Sequence, residues 1–110
     1  MIKMVVSPGA SALLRALLDR AGVTRDRILL TEVRSTDWQS LTFIGERHRI
    51  GLRIPGAGSG ALAERLCDGL EDADFHIPGQ IVADIAVPGG PCRASDGGML
   101  ITIEALTIAD

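Results

Sequence analysis

From Ser7 to Gly22 the chain reads SPGASALLRALLDRAG, a helix with both of its ends written in. The Ser7 hydroxyl suits the unpaired N–H groups of a first turn, and Pro8 stands where a missing N–H costs nothing. Leu13, Leu17 and Ala21 recur at i, i+4 and i+8 with Leu14 and Leu18 beside them, which makes one apolar stripe. Arg15, Asp19 and Arg20 take the wet side, and Gly22 supplies the left-handed residue that ends such a helix. The pattern predicts a helix over Pro8–Ala21.

Outward from this helix the chain alternates strand and helix patterns. Residues 2–6 (IKMVV), apolar but for Lys3, read as a strand buried on both faces. Residues 27–34 (RILLTEVR) read as a second strand, and the polar stretch Ser35 to Ser40 separates it from a third that begins at Leu41. Leu41 and Phe43 are odd-numbered while Ile50, Leu52 and Ile54 are even, so one straight strand cannot hold both sets on one face. A bulge or a turn is therefore expected at Gly45–Arg49. After a glycine-rich loop at Pro55–Gly60, Leu62, Leu66 and Leu70 mark a second helix over Ala61–Ala73, with Cys67 on its apolar side. Residues 80–87 (QIVADIAV) form a strand, 88–98 a turn-rich connection, and Met99 to Ile108 a long final strand.

The order β-α-β-β-α-β-β predicts an α+β fold, a split βαβ sandwich with an antiparallel sheet, two helices on one face and an extra C-terminal strand. The other sheet face is left bare, which favours self-association or ligand binding. With 110 residues, 46% hydrophobic and 23% charged, the chain fits one domain spanning residues 1–110 and is neither disordered nor membrane-spanning in composition. Residues 1–6 are too short an apolar run for a signal peptide, so a cytoplasmic location is expected. A net charge of −3 gives no general attraction to nucleic acid or to an anionic membrane. Cys67 and Cys92 show no paired spacing and read as free thiols. Trp38, Phe43 and Phe75 are the only aromatic residues. A core of such small pieces gains from subunit contacts, which favours an oligomer.

Three stretches carry a resemblance: Val5-Val6-Ser7-Pro8 with its helix, Gly22-Val23-Thr24 with Leu30-Thr31-Glu32-Val33-Arg34, and His76-Ile77-Pro78-Gly79-Gln80-Ile81-Val82. In order and length, over residues 2–87, the chain resembles the PII-like signalling proteins, trimers of a ferredoxin-like sandwich. The resemblance implies a homotrimeric, non-enzymatic regulator that binds a small ligand. The chain departs from the family in having no tyrosine for the mobile loop and only Gly79, preceded by Pro78 without an N–H, in the phosphate-cradling loop. No arginine stands in the tail Ala105–Asp110. ATP binding of the PII kind is therefore expected to be weak, and no cofactor is expected.

Arg47, Arg49 and Arg53 fall on one face of an alternating strand, with His48 on the other. Grouped arginines suit a carboxylate or phosphate, and they equally suit a charged edge strand kept in solvent. Trp38 is either an anchor for a partner or a ring folded back over the sheet. The expected ligand site lies between subunits, where Arg34–Trp38 meets the Gly79 turn of a neighbour beside Gln80. Arg47, His48 and Arg49 stand close to it, and the ligand is a small anion or a protein partner. Neither histidine has metal-ligand spacing, and no nucleophile or phosphate-loop motif is present, so neither a metal site nor catalytic residues are expected. Two alternatives stand beside this reading: a small hydrolase or isomerase using Glu46 and His48 as acid and base, and a structural subunit of a larger complex.

Overall fold

A computed structural model of the protein describes residues 6–110. Helix α1 spans Pro8–Ala21 as its pattern predicts, with Ser7 Oγ accepting from the Ala10 N–H at 3.1 Å and Gly22 left-handed at φ 67°. The strand expected at residues 2–6 falls, but for Val6, outside the described residues.

Strands β1 (Leu29–Gln39) and β2 (Ile44–Ile54) form a long antiparallel hairpin. The Ser40 N–H donates to the Phe43 carbonyl, and the Phe43 N–H donates back to Ser40 Oγ, which closes the turn. Helix α2 (Ser59–Cys67), β3 (Gln80–Ala86), the short β4 (Cys92–Arg93) and β5 (Met99–Ala109) complete the chain. The sheet is antiparallel, in the order β1-β2-β5-β3. Because β2 occupies one edge of β5 along nearly its whole length, β3 and β4 share the other. The C-terminal strand is thus an inner strand of the described sheet. Its alternation explains the placement: Met99, Ile101, Ile103, Ala105 and Thr107 are all buried, and the residues between them are not.

The core lies on that one face. Leu13, Leu14, Leu17 and Leu18 of α1 and Leu62, Ala63 and Leu66 of α2 close over Ile50, Leu52 and Ile54 of β2 and the buried side of β5. Each large aliphatic side chain buried there contributes on the order of 1.5–3 kcal/mol. The opposite sheet face carries no helix among the described residues.

Three sequence expectations change. The second helix stops at Cys67 rather than running to Ala73. Gly69, left-handed at φ 64°, breaks the helical path, and Leu70 reaches the core from a separate 3-10 turn instead. The polar residues Ser35–Gln39 extend β1 instead of forming a loop, since an outer strand tolerates polar side chains on both faces. No bulge or bend occurs at Gly45–Arg49, where β2 keeps unbroken register with both neighbours. The parity change marks the end of the strand, because Leu41 sits fully exposed in the hairpin turn and Phe43 at its rim.

Bulges fall elsewhere, between Leu30 and Glu32 in β1 and between Val82 and Asp84 in β3. Gly51 accommodates the first, since a Cβ there would lie 2.6 Å from Thr31 Oγ1. Gly45 serves close strand approach, because a Cβ at that position would stand 2.0 Å from the Thr107 carbonyl oxygen.

Candidate functional site

Alternation puts the even-numbered residues of β2 on the helix-covered face, and near the hairpin end these are Glu46 and His48 rather than aliphatics. Strand pairing places Asp37 opposite Glu46 and Ser35 opposite His48 on β1, and Thr107 opposite Glu46 on β5. The first turn of α1 closes this polar end. His48 is 3% exposed, with Nδ1 2.8 Å from Ser35 Oγ and Nε2 2.8 Å from Thr107 Oγ1. Burial lowers the imidazole pKa below its ordinary value, and the neighbouring Glu46 charge pulls it part of the way back up. A neutral ring has one donor and one acceptor nitrogen, and hydroxyls satisfy either tautomer.

Ser7 Oγ lies 3.3 Å from Glu46 Oε1 and 3.4 Å from Ser35 Oγ, so the helix cap also touches the polar cluster. Its single proton goes to one of them at a time. Gly9 makes this approach possible, since a Cβ there would stand 2.6 Å from Glu46 Oε1 and 3.7 Å from the His48 ring. Gln80 Nε2 donates to the Gly9 carbonyl at 3.3 Å, which ties the start of β3 to the start of α1.

A cleft of about 600 Å³ opens beside this cluster. Its walls are the start of α1, residues 37–39 and 44–46 of the β1–β2 hairpin, the turn Pro78-Gly79-Gln80 and the end of β5. The Gly79 turn owes its shape to φ 82°, and the Gly79 carbonyl accepts from the Asp110 N–H. Among the described residues Asp37 and Glu46 are the charged ones in the lining, and Pro8, Trp38, Ile44, Pro78 and Ile108 belong to its apolar part. The volume suits a small molecule.

The sequence-predicted site residues divide between two places. Trp38, Gly79 and Gln80 border the cleft, all within one chain. His48 is buried behind it. Arg34, Arg47 and Arg49 stand on the opposite, uncovered sheet face, around a shallow recess of about 220 Å³ that also includes Asp84 and Glu104. Arg34 lies directly across from Arg49. Arg49 bridges Glu32 at 3.3 Å and Glu104 at 2.8 Å. Arg34 and Arg47 have no ion-pair partner among the described residues, whereas Arg53 pairs with Asp96 at the far end.

Ser35 and Asp37 fall inside the stretch Arg34–Trp38 expected at the site, whereas Thr107 and Gly9 carry no signal in the sequence. The parity of Glu46 and His48 with Ile50 was visible in the chain, but their partners became neighbours only through hairpin and β5 register. Glu46 and His48 are not hydrogen-bonded to each other, and both nitrogens of the imidazole are already engaged. Among the described residues no three His, Cys, Asp or Glu side chains converge as metal ligands, and no helix is long and apolar enough to cross a membrane. Both cysteines are free thiols. Comparison with known proteins returns no matching family model, no matching curated protein and no matching solved structure.

Proposed function

We propose that the chain is an oligomeric, non-enzymatic regulatory protein of the PII-like type, built on a ferredoxin-like sandwich, that acts in the cytoplasm as a trimer. It binds a small ligand in the cleft at the start of α1. The observation that carries this reading is the convergence on one cleft of the Gly79 turn, Gln80 and the Asp37–Glu46 pair. A ligand held there offers hydrogen-bond donors to the carboxylates and an apolar body to Pro8 and Ile44. Among the described residues nothing in the lining repeats the backbone cradle of a nucleotide phosphate, so ATP is a poor candidate.

A second reading, an anionic ligand on the uncovered sheet face, is favoured by Arg34 standing across from Arg49, since like charges directly opposite gain from a counter-charge. The experiment is to denature the purified protein, identify released small molecules by mass spectrometry, and titrate them calorimetrically into wild type, Glu46→Gln and Gln80→Ala. Saturable binding weakened about tenfold or more in each variant is expected, the loss of one buried polar contact. A ligand that binds both variants as well as wild type refutes the cleft reading.

A further inference from the structure

We propose that copies of this chain join through the uncovered sheet face, the arginine-bearing β1–β2 half of one copy meeting the carboxylate-bearing β5–β3 half of another. The inference rests on the oligomeric reading above and names its contact surface. Strand register divides the charges of this face by strand. Arg34, Arg47 and Arg49, offset only by Glu32, lie on β1 and β2, while Glu104 and Asp84 lie on β5 and β3. One row crosses the sheet from Arg47 through Leu106 to Asp84. The pairing of opposite signs already operates at the seam inside one chain, where Arg49 bridges to Glu104. Arg34, Arg47 and Asp84 form no ion pair among the described residues, which leaves a positive group on one half and a negative group on the other.

A face with its two signs on opposite halves complements a copy of itself. In a closed ring of three copies the β1–β2 half of each faces the β5–β3 half of the next, so that every Arg47 meets the Asp84 of a neighbouring copy. Apolar side chains flank the charged rows: half-exposed Ile81 beside Ile108 at one end, and Leu29 and Leu100 at the other. Such a mixture of apolar area and charge is that of a protein–protein contact. A small acidic ligand fits less well, because Asp84 and Glu104 border the same recess as the arginines.

The test is the association constant, by sedimentation equilibrium, of wild type, Arg47→Glu, Asp84→Arg and the double variant Arg47→Glu/Asp84→Arg, with folding checked by circular dichroism. Each single reversal is expected to weaken association about tenfold or more, and the double variant to restore it. Wild-type association that neither reversal alters refutes this surface while leaving the oligomeric reading intact. Failure of the double variant to recover refutes the proposed pairing of rows. A wild-type monomer at all concentrations refutes both. Inorganic phosphate bound by wild type, lost in Arg47→Glu and without effect on mass, overturns the proposal in favour of an anion site.

Discussion

Thr107→Val tests the buried polar cluster with little change of shape. Thr107 is 3% exposed and its Oγ1 lies 2.8 Å from His48 Nε2. Valine nearly fills the same volume, so no cavity forms, and the change isolates one hydrogen bond. The loss has two parts: the net worth of the bond, about 0.5–1.5 kcal/mol, and the desolvation of an imidazole nitrogen left without a partner, about 1–3 kcal/mol. The parts overlap, and a destabilisation of about 2 kcal/mol is expected. Since 1 kcal/mol moves the melting point of a domain this size by about 4–8 °C, Tm should fall by roughly 10 °C. Urea unfolding at neutral pH, read by circular dichroism, measures it, with an unchanged slope showing that the unfolded state is unaltered. A second variant, Thr102→Val, alters a half-buried residue of the same strand on the other sheet face and serves as the control, with an expected change within about 0.5 kcal/mol. If Thr107→Val costs no more than that control, His48 is not held by the hydroxyl and the description of the cluster fails.

Two further predictions follow from the same geometry. The folded-state pKa of His48 is lowered by burial, so the unfolded chain binds the proton more readily, and stability should fall as pH drops below the ordinary histidine value near 6.5. The loss is complete once pH lies below the folded pKa, and His48→Gln should remove this component from a series of urea midpoints; an unchanged profile in that variant contradicts the burial argument. Gly45→Ala should destabilise far more than Gly51→Ala, because the added carbon meets the Thr107 backbone in the first case, whereas in the second its nearest neighbour is the Thr31 hydroxyl, which can rotate, with Glu32 Cβ next at 3.3 Å. Paired denaturation midpoints decide this, and equal losses would show that β5 gives way at Gly45.

What the sequence determined on its own is local. α1 was legible to the residue because its cap, its proline, its apolar stripe and its closing glycine all lie within one short stretch. The alternation of β5 and the opposite facing of His48 and Arg49 were legible for the same reason, since a strand's period is carried by neighbours in the chain. The α+β class with an antiparallel sheet followed from the order of such segments.

Tertiary structure decided which strands became neighbours. The polar run Ser35–Gln39 has no strand signature of its own, and it became one by pairing with Ile44–His48. An aliphatic strand near the C-terminus can sit at an edge or inside a sheet, and the choice depends on which partners bury its two sides. β5 therefore took an inner place that local pattern could not assign. The candidate site shows the same division. Glu46 stood out in sequence, but Ser7, Asp37 and Thr107 reach it across 39, 9 and 61 residues of chain, distances that only strand register and helix packing can close.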